Sequence, residues 1–162
     1  NNATALGATA GRFTIAAGTV IDCTSSDTTV TNNNPQTWNG NFAFIGSHRL
    51  NLGTGAVTLG ADITITRSTS NALTVGGVFT ETHNLTLAGY GELILSGAMA
   101  LAADLALTAV DQYSTVTVSG VISGAHNVIK TGYGALVLSG NNTFDGSLTV
   151  NAGTLTLLVP PL

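Results

Sequence analysis

The chain has 162 residues, enough for one domain, and only 7% of them are charged, with a formal net charge of −4; an average soluble domain is about 25% charged. Its basic residues, Arg12, Arg49, Arg67 and Lys130, are scattered, so no basic patch exists to neutralise a phosphate backbone and no nucleic-acid partner is expected. The apolar runs are too short to cross a bilayer as a helix, and Cys23, the single cysteine, excludes an intrachain disulfide.

The N-terminal stretch "NNATALGATAG" has no basic region followed by an apolar one, so any secretory signal is expected to have been removed. From there on, apolar residues alternate with threonine or other small residues in short runs. In chain order these include "FTI" at 13–15, "AVTL" at 56–59, "ITIT" at 63–66, "LTV" at 73–75 and "LTL" at 85–87. "VTV" at 116–118, "LTV" at 148–150 and "LTL" at 155–157 continue the series. A period of two is the strand signal, and the bounding Gly, Asn, Ser and Asp residues are turn formers. The chain holds 26 Thr, 14 Asn and 20 Gly, a strand-and-turn composition. The Ala/Leu-rich segment "GAMALAADLALTAV" at 97–110 competes as a helix. Its alternation at Leu105, Leu107 and Ala109 favours strand. Cys23, in "TVIDCTSS", reads as a small apolar strand residue.

Residues 77–97 read "GVFTETHNLTLAGYGELILSG" and residues 120–140 read "GVISGAHNVIKTGYGALVLSG", with eleven of 21 positions identical. A weaker copy is "SHRLNLGTGAVTLG" at 47–60, with a short gap. His48, His83 and His126 fall in one repeat phase on this alignment. The repeat units are approximately 40–76, 77–119 and 120–157. Residues 1–39 form N-terminal rungs or a capping or junction segment of the same single domain.

Units of this length hold about four strand runs, enough for roughly two turns of an all-β solenoid whose rungs stack about 4.8 Å apart. Leu93, Leu95, Leu136 and Leu138 are expected to point inward, and Thr, Ser and Asn outward. Gly89, Gly91, Gly132 and Gly134 are expected at a recurring corner, where positive φ or close backbone approach favours glycine. A propeller usually needs four or more blades, more than this chain accommodates. A sandwich does not ordinarily repeat in sequence.

The carboxylates, among them Asp62, Glu81 and Asp104, are dispersed, which argues against a catalytic cluster. His48, His83 and His126 invite a metal, but at two rungs' separation they stand roughly 10 Å apart, too far to share an ion. A structural corner role is the simpler reading, and no metal, cofactor or catalytic residue is expected. Tyr90 and Tyr133 occupy the same Gly-Tyr-Gly turn. Turn aromatics can bind sugars, but packing on the neighbouring rung is the simpler expectation. The turn lacks the third glycine of a nucleotide loop.

Residues 128–157, "VIKTGYGALVLSGNNTFDGSLTVNAGTLTL", resemble the autotransporter-associated β-strand repeat. The shared pattern runs Lys130-Thr131-Gly132, Gly134, Leu136-x-Leu138-Ser139-Gly140, Asn142-Thr143-Phe144-x-Gly146, then Val150-Asn151-x-Gly153-Thr154-Leu155. The resemblance implies a right-handed parallel β-helix in secreted, surface-exposed bacterial proteins, without catalytic residues.

Two functional expectations follow. The first is a non-enzymatic extracellular filament subunit that stacks head-to-tail on copies of itself. Phe13, Ile15, Leu148, Val150, Leu155 and Leu157 are the stacking candidates, because no cap helix is visible at the start, and Pro160 and Pro161 end the ladder while leaving the strand at 153–159 unblocked. The alternative is a passenger segment of an adhesin, with a cell surface or glycan partner on its lateral face.

Overall fold

The computed structural model describes residues 2–80 and 82–158; Glu81, Pro160 and Pro161 lie outside the described residues. The described residues form twenty short strands and no helix, wound into a β-solenoid of seven coils. The first coil holds β1 (Phe13–Ile15), β2 (Thr19–Ile21) and β3 (Thr28–Thr29). The second holds β4 (Gln36–Trp38), β5 (Phe42–Phe44) and β6 (Leu50–Asn51), and the third β7 (Val57–Leu59), β8 (Ile63–Arg67) and β9 (Leu73–Val75). The fourth holds β10 (Leu85–Gly89) and β11 (Gly91–Leu95), with Phe79 as a single bridging residue on its first side. The fifth holds β12 (Met99–Ala100), β13 (Leu105–Ala109) and β14 (Ser114–Val118). The sixth holds β15 (Ile122–Gly124), β16 (Val128–Thr131) and β17 (Ala135–Leu138), and the seventh β18 (Thr143–Phe144), β19 (Leu148–Val150) and β20 (Thr154–Leu157).

Each coil sends one strand to each of three faces. The second and third faces are seven-stranded sheets in sequential coil order. The first face is two three-stranded sheets joined through Phe79, which bridges Val57 below and Met99 above. Pairing between coils is parallel throughout, as in Leu93 with Val116 and Leu136 with Leu155. Along the second face β10, β13 and β16 start at residues 85, 105 and 128. Two successive coils therefore take up the 43 residues that separate the two Gly-Tyr-Gly turns. The Ala/Leu-rich segment at 97–110 contains β12 and β13, as its alternation indicates.

Parallel register turns the period-two pattern into columns. Leu50, Leu73, Leu93, Val116, Leu136 and Leu155 lie above one another on the third face. Val75, Leu95, Val118, Leu138 and Leu157 form the adjacent column. Leu93, Leu95, Leu136 and Leu138 are buried, as expected. The lower core is filled by Trp38, which meets Phe42 and Phe79 edge-on at centroid distances of 5.2 and 6.2 Å. Its Nε1 donates to Gln36 Oε1 at 3.2 Å, and Gln36 Nε2 donates to the Leu52 carbonyl at 3.2 Å. That chain satisfies both buried polar side chains. Outside, threonines stack: the hydroxyls of Thr58 and Thr80 lie 3.1 Å apart, and those of Thr108 and Thr131 2.6 Å apart.

The two ends of the stack differ. Residues 2–12 have no helix but fold as turns across the first coil, correcting the expectation of an uncapped start. Thr31 N donates to the Ala3 carbonyl at 2.8 Å. Asn34 Nδ2 donates to the carbonyls of Ala8 and Gly11 at 2.7 and 2.8 Å, and Asn32 Nδ2 donates to Gly7. Leu6 packs against the core, although a cleft of about 240 Å³ remains between this segment and the first coil. At the other end β18, β19 and β20 are the last strands of their sheets.

Truncating a central column residue should leave a cavity that neighbouring coils cannot close. Leu93→Ala is expected to cost about 2–5 kcal/mol, read as a lower urea midpoint with an unchanged m-value.

Candidate functional site

The chemistry-bearing side chains gather at the corners between faces. At the corner that precedes the second face, a pair linking adjacent coils recurs every second coil. Asn84 N donates to Asp62 Oδ1 at 2.9 Å and its Nδ2 to Asp62 Oδ2 at 3.0 Å. Two coils higher, Asn127 makes the same contacts with Asp104, at 2.9 and 3.0 Å. Each Asn then accepts from the coil above: Asn84 Oδ1 from Ala106 N, and Asn127 Oδ1 from Ser147 N, both at 2.8 Å. A carboxylate only accepts, whereas an amide both donates and accepts. Alternating Asp and Asn therefore satisfies successive coils, one physical reason for a two-coil sequence period.

His83 and His126 immediately precede these asparagines, with Nδ1 3.5 Å from Asp62 and 3.7 Å from Asp104. His48 stands 3.8 Å from Asp27 in a similar one-coil pairing. It precedes β6, however, on the third face, so the expected common phase holds for His83 and His126 and fails for His48. The gapped copy at 47–60 had aligned residues from different corners. Among the described residues, no group of three or more His, Cys, Asp or Glu side chains is placed to hold a metal. Hydrogen bonds from the backbone and side chain of Asn84 hold the Asp62 carboxyl below the usual range, and Asn127 does the same for Asp104.

The corner between the second and third faces carries the Gly-Tyr-Gly turns. Gly89 and Gly132 have φ of +82° and +75°. A Cβ on either would approach the carbonyl oxygen of Arg67 or Ala109, at 1.9 and 2.1 Å. Gly134 is different: its φ is not in the left-handed region. Glycine is needed there because a Cβ would stand 2.4 Å from Ser114 O and 2.5 Å from Asp111 O.

Two cations that the sequence left without a structural role lie buried inside this corner. Lys130 Nζ donates to the carbonyls of Thr131, Gly132 and Ala152 at 2.6, 2.7 and 3.2 Å, which uses all three ammonium donors. Arg67 donates to Glu92 O at 2.8 Å and Thr69 O at 3.3 Å, with its guanidinium 4.9 Å from the Phe44 ring centroid. Burial lowers the Arg67 pKa to about 10 and also lowers that of Lys130. Parity was the available signal: Arg67 and Lys130 occupy inward positions of "ITITR" and "VIKT".

On the outside of the same corner stand Tyr90, Tyr113 and Tyr133, 51%, 74% and 77% exposed. This overturns the expectation that Tyr90 and Tyr133 pack on a neighbouring rung. Tyr113 was missed, although it lies between them at coil-length spacing. Tyr90 and Tyr113 immediately precede the register pair Gly91 and Ser114. Tyr113 and Tyr133 lie two residues before the register pair Thr115 and Ala135.

The stacking candidates separate by end. Ile15 is 2% exposed, and Phe13 is half-buried against the core of its own chain. In the last coil Leu148 and Leu155 are half-buried, while Val150 and Leu157 are 43% and 61% exposed.

This geometry explains the motif residues of the last two coils. Lys130 fills the corner, Leu136 and Leu138 enter the core columns, and Asn142 Oδ1 accepts from Ile122 N at 2.9 Å. Gly153 has φ of +73° at the same corner one coil above. Residues 128–157 match the passenger-associated-transport-repeat family. The passenger-associated-transport-repeat thus covers β16 to β20, and the coils below repeat its corner chemistry more loosely. Searches of curated proteins and of solved structures return no match.

Gly134→Val should destabilise the fold through that close approach, by roughly 1–3 kcal/mol, seen as a lower melting temperature. A melting temperature equal to the parent's would show that the turn can open. Acid should also loosen the stack. Asp62 and Asp104 have folded-state pKa values below their unfolded ones, so their contribution is present above about pH 4 and lost as pH falls through the folded value. The melting temperature is expected to drop as pH falls below about 4, and Asp62→Asn should show a smaller drop.

Proposed function

We propose that this chain is a secreted or cell-surface rod of the autotransporter-passenger type, non-enzymatic, with its recognition chemistry on the lateral faces. The passenger-associated-transport-repeat at 128–157 supports the location and class. The observation that carries the rod reading over a homopolymer is the asymmetry of the ends. Below, Ile15, Cys23 and Val30 are buried and residues 2–12 are tied across the first coil. Above, β18, β19 and β20 are the last strands of their sheets among the described residues, with Val150, Leu157 and Leu158 exposed. A parallel edge with apolar columns is built to continue into a further coil, whereas residues 2–12 already lie across the first coil.

The carboxylates support a structural role. Asp27, Asp62, Asp104 and Asp111 each accept from a backbone N–H of an adjacent coil. Glu92 accepts from the Thr117 hydroxyl. Side chains committed in this way are not poised as an acid–base pair.

Head-to-tail stacking of copies is the second reading, favoured by the exposed apolar residues of the last coil. Sedimentation separates the two. The intact chain is expected to remain a discrete small particle at high concentration in molar salt. Deleting residues 2–11 uncovers the lower end and should promote association. Long fibres formed by the intact chain would establish the homopolymer instead.

A further inference from the structure

The chain contains three tyrosines, and all stand on one corner of three consecutive coils. None has a ring partner or a hydroxyl hydrogen bond among the described residues; the ring–ring contacts belong to Trp38, Phe42 and Phe79 in the core. Successive coils are about 4.8 Å apart, so the tyrosines form a line of about 10 Å along the solenoid axis. Elsewhere on the lateral surface the exposed large apolar residues are aliphatic, such as Val20 and Val78; the tyrosines are its exposed aromatics, aligned on one corner, and contiguous apolar patches mark interaction sites.

The surroundings define the chemistry of an occupant. Ser70, Glu92 and Thr115 join Tyr90 and Tyr113 around an open cleft of about 530 Å³. Hydroxyl and carboxylate groups beside aromatic faces offer hydrogen bonds at the edges of a flat apolar platform. No cation serves this surface. Arg67 and Lys130 are buried in the corner beneath it, and Arg12 and Arg49 belong to the lower coils. A nucleic acid, sulfated glycan or phosphate headgroup would find no counter-charge. A peptide adding as a strand would find no open edge, because coils four to six pair on both sides.

We propose that Tyr90, Tyr113 and Tyr133 form a binding platform for a neutral polysaccharide laid parallel to the solenoid axis. The C–H faces of successive sugar rings rest on the tyrosines, and sugar hydroxyls donate to Glu92 and exchange hydrogen bonds with Thr115 and Ser70. The proposal rests on the lateral-recognition reading above and names its partner class.

The test is a titration of the intact chain, reading the tyrosine ring resonances by NMR. The probes are linear hexasaccharides of β-1,4-glucose, β-1,4-N-acetylglucosamine and α-1,4-glucose, with a sulfated hexasaccharide and a proline-rich decapeptide for comparison. At least one neutral sugar is expected to shift the three tyrosines together, while the sulfated one does not. Tyr113→Ala should weaken that binding about tenfold, and Tyr113→Phe should retain most of it. Both variants should melt like the parent, because the ring is exposed. The proposal is overturned if no neutral sugar moves these resonances, if Tyr113→Ala binds like the parent, or if only the peptide or sulfated probe binds. Polymerisation of the intact chain would defeat the rod reading while leaving this result standing; a silent titration on a discrete rod defeats the glycan platform alone.

Discussion

Parallel hydrogen bonding between one coil and the next governs the structure. Strands between the first and last coils pair with their neighbours above and below, so every coil must trace nearly the same three-sided outline at a spacing of about 4.8 Å. Side chains then stand directly above their equivalents, and a column holding Leu73, Leu93, Val116 and Leu136 becomes possible. The same constraint leaves no room at corners where backbones cross closely. Gly132 and Gly134 meet it for different reasons, one through its φ and the other through carbonyl oxygens lying where a Cβ would be.

Corners create the polar problem of such a fold, because backbone groups leave the ladder there. The chain solves it with charge placed on opposite sides. Carboxylates lie outside, where Asp62 and Asp104 accept hydrogen bonds in contact with water. Cations lie inside: Lys130 gathers three carbonyls, and Arg67 reaches two while facing Phe44. Burying an ammonium is costly unless its donors are satisfied, and the depressed pKa values of both groups register that cost. A chain with four basic residues places two of them in this role, leaving little positive charge for its surface.

Because strand edges are consumed within the stack, the surface left on the interior coils is made of side chains. Across the first coil residues 2–12 lay turns rather than a helix. In the last coil Val150 and Leu157 are exposed. Along the side, an interior corner built from glycine and buried cations turns its tyrosines outward, so the turn that stabilises the stack also displays the aromatic row.

The sequence by itself determined the strand class, the repeat, the inward leucines and the glycine corners, since alternation and turn composition are local signals. It also carried the passenger-associated-transport-repeat pattern of the last coils. The phase of His48, the direction of the tyrosines, the burial of Arg67 and Lys130 and the turns that residues 2–12 lay across the first coil were decided only by the tertiary structure. Those features depend on which residues meet one coil apart, at separations of 20–23 residues along the second face. Coil lengths vary through their corners, so a fixed sequence period does not locate those meetings. Stacking does, by holding each coil in hydrogen-bonded register with the next.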